Sequence, residues 1–367
     1  MLNIKQKFLK FTLSFICLFF ISSCGQSSNH SNNTGAQRIV EVAVLLPFSG
    51  TDTKLAKEYA QMIKIGLSVS AKTKIRITNY DSTDAKNLSQ SLDKIFEQGT
   101  DIIIGPIYSE ATQTVADKVK GKGTIVLSLS NNPVLADKQV FVCGHAPMRQ
   151  LEQITKYFLA NNYKNYIALL PAGQYSNTTS KILQDLITTG DGALSRIEFY
   201  GDTAEDIARS VKIVSDNVDN LNENDLNLTR PVILLADDPV TLGILYNNAG
   251  KYNLDKKAII AGDSRVDIDL PFDVTFTGTM GIADPNLIAH TTKAGIKHIS
   301  FMHAIAYDIG KMVGDHVGTH YNRTAFLTKM NSPEPFVGIS GKIHFVDSIA
   351  QRQYDIIKKE NGQYKMW

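Results

Sequence analysis

Cysteine is scarce: three in 367 residues, at positions 17, 24 and 143. Two lie in the first 24 residues, so the body of the chain has no pair to oxidise and must rest on packed cores alone. Cys143, between Val142 and Gly144 with His145 as its one basic neighbour, reads as a small buried apolar residue. HExxH, paired CxxC, GxSxG and GxxxxGK[ST] are all missing, which removes the common signatures of zinc proteases, redox or zinc modules, α/β-hydrolases and P-loop enzymes. No cofactor is called for, and the chain is not expected to be an enzyme. Charge of either sign is not in excess: 38 basic residues face 36 acidic ones. A phosphate-backbone partner is therefore not expected. A short fixed repeat is absent, against solenoids and propellers.

Long apolar runs are missing too, except at the N-terminus. Lys5, Lys7 and Lys10 precede an apolar stretch from Phe11 to Ile21, too short for a comfortable membrane span, followed by Ser22, Ser23 and Cys24. Residues 1–23 are expected to be a secretory signal. Once they leave, the 38 basic residues lose those three lysines and the 35 left face 36 acids. The polar run from Gly25 to Gly35 cannot fold alone and reads, within residues 24–37, as a disordered tether.

From residue 38 onward, strand and helix patterns alternate. Val40 to Leu46 is a first strand, turned out by Pro47 to Gly50; Leu55, Tyr59, Met62, Ile63 and Leu67 then stripe a helix. Ile75 to Tyr80 is the second strand, and Leu88, Leu92, Ile95 and Phe96 mark the next helix. Ile102 to Ile104, apolar on both faces, suits a parallel strand covered on both sides, with Gly105-Pro106 as its stop and Ser109 as the N-cap of a helix running to about Gly121. A fourth strand, Thr124 to Leu129, ends in Ser130, Asn131, Asn132 and Pro133. Val140 to Pro147 reads as a crossing into a second set of such units. These carry strands at Tyr166–Leu170, Arg196–Tyr200, Val232–Leu235 and Lys257–Ala261. The segment from Asp216 to Arg230, rich in Asn and Asp, is expected to be a loop. Thr275 to Pro285 reads as a return crossing, and a helix with Phe301, Ile305, Ile309 and Met312 belongs back in the first lobe. The tail ends in a hairpin-like pair of strands around Asn361-Gly362. The expected architecture is α/β, two Rossmann-like lobes with parallel sheets joined by several hinge crossings. Lobe 1 takes residues 38–145 and 281–325, lobe 2 residues 146–280 and 326–367.

In open α/β sheets ligands bind beyond the carboxyl ends of strands. Ser49, Tyr108, Ser109, Ser130 and Asn131 would line one wall of a cleft there, with Tyr175, Asp237 and Asp263 on the other. Each taken singly could equally be a turn or cap residue. Arg149 and Arg265 are read as surface charges. His316 and His320, four apart beside Asp315, have metal-ligand spacing, but Gly314 and Gly318 argue against a continuous helix. Solvated helix-end histidines are the simpler reading.

Two resemblances sharpen this picture. Ile21-Ser22-Ser23-Cys24 resembles the lipobox of bacterial lipoproteins, which implies acylation of Cys24 and a membrane partner reached through a lipid anchor. VAVLLPFSG at 42–50, DIIIGPIYSE at 101–110, IVLSLSNNP at 125–133 and AYD at 306–308 resemble type I periplasmic binding proteins. Within that superfamily the LLP-SG start, the IIGP strand end, the serine-asparagine strand end and the closing GISGKIHF segment resemble the LppC-type penicillin-binding protein activators. That resemblance implies a non-catalytic lipoprotein facing the periplasm, with a penicillin-binding protein, a peptidoglycan synthase, as partner. Gly25 after the cysteine, in place of aspartate, favours the outer membrane over the inner. The alternative is the solute-binding lipoprotein of an ABC importer, its interlobe cleft closing on an amino acid or related small molecule.

Overall fold

The computed structural model describes residues 38–224, 229–237, 239–262, 273–278, 284–297, 299–360 and 363–367. The side chains of residues 147, 174, 175, 224, 239 and 240 lie outside that description. Cys24, expected to carry the lipid, lies with the signal and tether outside the described residues.

The chain begins with β1 (Val40–Leu46), α1 (Thr53–Ser70), β2 (Ile75–Asp81), α2 (Ala85–Glu97), β3 (Ile102–Ile104), α3 (Ser109–Val119), β4 (Ile125–Ser128) and β5 (Val140–Val142). It continues through α4 (Pro147–Ala160), β6 (Asn165–Pro171), α5 (Gln174–Thr189), β7 (Ala193–Tyr200), α6 (Ala204–Asn224), β8 (Val232–Leu235), α7 (Pro239–Lys251), α8 (Leu254–Lys257), β9 (Ile259–Gly262) and β10 (Val274–Gly278). The last part comprises α9 (Pro285–Lys293), α10 (Phe301–Val317), α11 (Arg323–Met330), β11 (Phe336–Gly338), β12 (Gly341–Val346), β13 (Ile349–Gln353), β14 (Asp355–Glu360) and β15 (Gln363–Met366).

Two sheets result, one ordered β11-β12-β13-β5-β4-β3-β1-β2 and one β15-β14-β10-β9-β8-β6-β7. β1 to β5 pair in parallel, as do β6 to β10, and each sheet is extended by antiparallel pairs from the tail. Side chains alternate across a strand, so both faces of a central parallel strand need cover. Ile102 and Ile104 join β1 residues Val42 and Val44 under α1, α10 and α11. Ile103 joins Ala43, Leu45 and Val126 under α2 and α3. In the second sheet Ile167, Leu169 and Ile233 meet α6 and α7, while Tyr166, Ala168 and Leu234 meet α4 and α5.

The α1–α10 contact is unusually close, because a Cβ on Gly66 would collide with the Tyr307 carbonyl oxygen and one on Gly310 with that of Ile63. The Ser70 hydroxyl also donates to the Lys311 carbonyl at 2.9 Å. α10 thus belongs with the first sheet, so the chain has returned to it after β10.

Four expectations need correction. The tail is divided: β11 to β13 extend the first sheet and only β14 and β15 the second, and α11 packs Phe326 and Met330 into the first core. Residues 326–353 therefore sit with the first sheet and not with the second lobe. The stretch from Asp216 is helix as far as Asn224, because Val211, Val214, Val218 and Leu221 keep one apolar stripe facing the core. Its Asn and Asp residues mislead by composition. Tyr108, not Ser109, occupies the N-cap of α3. Finally, Val140–Val142 and Val274–Gly278, which fall within the expected crossings, are strands of the two sheets.

Candidate functional site

The parallel strands of the first sheet end at one edge, and five of the named residues gather there. Ser49 follows β1, and its hydroxyl donates to Asp81 Oδ2 at 2.7 Å. Asp81 closes β2 and also accepts from the Phe48 N–H at 2.9 Å, the Thr83 N–H at 3.0 Å and the Thr83 hydroxyl at 2.6 Å. Burial works against ionisation, but these donors, Thr83 and Ser49 foremost, outweigh it and hold the Asp81 carboxyl below the usual range. Tyr108, 47% exposed, donates its hydroxyl to Asp52 at 2.6 Å, and that bond is the main cause of its raised pKa.

Ser109 and Ser130 meet hydroxyl to hydroxyl at 3.1 Å, and Ser130 Oγ accepts from the Asn132 N–H at 3.2 Å. Behind them Ser128 and Thr112 share a buried bond of 2.8 Å. Asn131 is exposed. The hydroxyls at this edge therefore answer one another. Sequence reasoning misses Asp52, Asp81, Thr83, Thr112 and Ser128; the polar run Asp81-Ser82-Thr83-Asp84 at a strand end is the available signal.

On the second sheet Asp237 follows β8 and accepts the Tyr200 hydroxyl at 2.6 Å. Tyr175 falls in the first turn of α5, but its side chain is outside the described residues, as are Asp263 and Arg265. Arg149 is exposed and pairs with Glu152 at 3.1 Å.

The first crossing is not a free swivel. Arg352, from β13, donates to the Cys143 carbonyl at 2.6 Å and the Gly144 carbonyl at 3.0 Å. Asp308, fully buried on α10, accepts from the Ile339 N–H at 2.8 Å, the Ser340 N–H at 2.7 Å and the Ser340 hydroxyl at 2.6 Å. Its carboxyl is raised above the usual range by burial, against those bonds. Gln153 on α4 holds the backbone of Tyr354 from both sides, accepting its N–H at 3.1 Å and donating to its carbonyl. Gly144 lies so close to the Ser130 carbonyl oxygen that a Cβ would collide with it. The strand end at Ser130 and the crossing are thus one packed unit. The clasp on the crossing has no local sequence signal, since the two carbonyls that Arg352 reaches there lie more than 200 residues away.

Cys143 is 2% exposed and burial pushes its thiol up to about 12, which makes it inert. His316 is part-buried, its ring packed against Phe326 and Phe336 at 5.8 and 6.2 Å between centroids, while His320 is exposed. Burial, then the Lys329 charge, lowers its pKa to about 4. α10 ends at Val317, before His320, so the two histidines do not share a helix face. Among the described residues no three His, Cys, Asp or Glu side chains cluster to hold a metal, and no helix is long and apolar enough to cross a membrane.

Residues 31–229 match the family model described as "LppC putative lipoprotein". The chain belongs to the LppC family. It is 42% identical to Uncharacterized protein RP748 of Rickettsia prowazekii (strain Madrid E), over 99% of this chain and 98% of that protein. Among solved structures, the LppC fold here is similar to a branched chain amino acid ABC transporter periplasmic ligand-binding protein from Burkholderia xenovorans LB400. That match has a TM-score of 0.71 at 11% identity, over 89% of this chain and 94% of the other. It is also similar to full-length LpoA from Haemophilus influenzae, with a TM-score of 0.64 at 14% identity, over 90% of this chain and 59% of that one. The fold is that of the type I periplasmic binding proteins, with the tail strands making each sheet mixed.

Proposed function

We propose that this LppC-family protein is a non-catalytic, periplasm-facing lipoprotein that binds and regulates a peptidoglycan synthase of the penicillin-binding protein class. One observation carries the choice over a solute receptor. The strand-end hydroxyls that would receive a small ligand are bonded within their own lobe, Ser49 to Asp81, Tyr108 to Asp52 and Ser109 to Ser130. Opening them to a ligand means breaking those bonds, each worth about 1 kcal/mol net. The crossing held by Arg352 and Gln153 argues in the same direction, since a receptor that closes on solute needs a compliant hinge. Family membership and the likeness to LpoA support the reading. In it, Cys24 is acylated and anchors the chain, with Gly25 favouring the outer membrane.

The competing reading, a solute-binding lipoprotein of an importer, draws support from the likeness to amino-acid ligand-binding proteins. Calorimetry against the amino acids separates the two. No binding tighter than millimolar is expected, together with retention of the purified synthase by both the wild-type chain and a Ser109→Ala/Asn131→Ala variant. Micromolar amino-acid binding lost in that variant would establish the receptor instead.

A further inference from the structure

The near balance of charge over the whole chain conceals an asymmetry between the two ends of the first sheet. At the carboxyl edge, the loops after the strands and the first turns of α1, α2 and α3 carry Asp52, Asp81, Asp84 and Glu110 against Lys54 and Lys86. The amino edge has the opposite balance. Arg38 stands there, where the chain enters β1 between β3 and β2. Lys72 and Lys74, both exposed, lie in the loop before β2, and the Lys74 carbonyl accepts the Val40 N–H at 3.0 Å. On the other side Lys118, Lys120 and Lys122 surround the loop between α3 and β4. The Gln139 amide fastens that loop by donating to the carbonyls of Val119, Lys122 and Thr124. Lys138 adjoins Gln139, and Arg323 donates to the Gly123 carbonyl at 2.9 Å.

The carboxylates of this edge do not cancel those charges. Asp101 is taken up by Arg38 at 2.7 Å, Asp117 by Lys120 at 2.7 Å and Glu41 by Arg76 at 2.5 Å. Asp93, Glu97 and Asp137 are left to oppose Lys72, Lys74, Lys122, Lys138 and Arg323. Lys94 and Lys118 add to the positive side while complementing the carbonyl ends of α2 and α3. The neighbouring flank at α10, α11 and β12 is balanced, with Lys311, Lys329 and Lys342 against Asp315, Glu334 and Asp347.

What covers this edge follows from where the chain comes from. Cys24, proposed above to carry the lipid, precedes Arg38 by 14 residues, and none of those between them is acidic. Fully extended, that length places Arg38 no farther than about 50 Å from the lipid. As a coil it spans about 20 Å. We infer that the amino edge of the first sheet lies against the membrane that holds the anchor and binds the headgroups of anionic phospholipids. Lysine and arginine gain from such a surface within a Debye length, about 8 Å at physiological salt. The acidic carboxyl edge then faces away from the bilayer. The inference rests on the anchored reading proposed above.

The test uses the mature chain from position 24 carrying Cys24→Ala, which removes the lipid and keeps every other residue. Its partners are vesicles of phosphatidylcholine with or without phosphatidylglycerol. At low salt, co-sedimentation with the phosphatidylglycerol vesicles is expected to exceed that with neutral ones by about tenfold or more, and to be lost at about 0.5 M salt. Lys72→Glu/Lys74→Glu is expected to weaken it by about tenfold or more. Lys54→Glu/Lys86→Glu makes the same change in net charge at the carboxyl edge and is expected to leave it within about twofold. Circular dichroism checks that both variants fold. Failure to prefer the anionic vesicles, or equal loss in both double variants, overturns the surface and leaves the anchored reading standing. Sedimentation with purified peptidoglycan in place of the vesicles overturns the assignment to lipid. Mass spectrometry of the wild-type protein that finds Cys24 unmodified overturns the anchored reading, and the inference with it.

Discussion

The carboxyl end of the first sheet and the corresponding end of the second treat their buried polar groups in opposite ways. In the first, Ser109, Ser128, Ser130 and Thr112 are matched donor to acceptor within the lobe, and Asp308 receives three donors. In the second, α4 leads by a tight turn into β6 and α5 leaves it, so both helices start at the carboxyl end of that strand. There Gln150 and Ser176 are fully buried, and neither side chain has a hydrogen-bond partner among the described residues. Among the described residues, one edge is finished by its own side chains and the other holds buried polar groups without a partner. A protein selected to grip solute would keep free donors on both walls. On the proposed reading, the bonded strand-end hydroxyls of the first lobe favour docking from outside over closure on a solute.

The largest expected effect comes from breaking the finished side. Asp308→Ala removes the acceptor of one buried and one part-buried backbone N–H, each costing about 1–3 kcal/mol when left unsatisfied, so a loss of about 3 kcal/mol is expected. Urea denaturation checks it. A loss below about 1 kcal/mol would mean that the loop at Ile339 and Ser340 finds other acceptors and that the first lobe is less committed to its network than its geometry indicates.

Acid provides the next effect. The His316 pKa is depressed to about 4 from 6.5, so between those values the unfolded chain binds a proton that the folded chain refuses. Stability is therefore fully present above about pH 6.5, falls as pH drops towards 4 and levels off below. A shift of this size amounts to about 3 kcal/mol. His145, lowered to about 3 by burial and then by the Arg352 charge, acts with the same sign. His316→Leu is expected to remove part of the slope between pH 6.5 and 4, and a double variant at both histidines more of it. An unchanged slope in His316→Leu would show that its ring is open to water.

Much of the fold is readable from local pattern. Ile102 to Ile104 announce a strand covered on both faces, and the stripe at Leu55, Tyr59, Met62, Ile63 and Leu67 announces α1, because burial leaves its period in the sequence. The strand-end polar residues are legible as a group for the same reason: loops after parallel strands share an edge. The features that escape depend on distant partners. β13 meets β5 through a single parallel pair, Ile349 with Val142, so nothing near residue 349 tells which sheet it joins. Arg352 is a hinge clasp only because the chain returns to Cys143 after more than 200 residues. His316 has metal-like spacing, yet its surroundings, Phe326 and Phe336, come from later elements. Ser109 reads locally as a cap, whereas its hydroxyl reaches Ser130 beyond the next strand.

The smallest effect discriminates best, because its sign differs between the lobes. Ser130→Ala deletes a hydroxyl that bonds Ser109 and accepts the Asn132 N–H, and a loss of about 1 kcal/mol is expected. Gln150→Met keeps a similar volume while deleting an amide that has no partner among the described residues. Replacing an unsatisfied buried polar group by an apolar one of like shape is neutral or stabilising, by up to about 1 kcal/mol. Both variants would be compared by urea denaturation at pH 7.5, where His316 and His145 are neutral in either state and contribute no slope. Opposite signs confirm that the first edge is complete and the second is not. A destabilised Gln150→Met means that ordered water already serves the amide, in which case the two edges are equally finished and differ only in what finishes them.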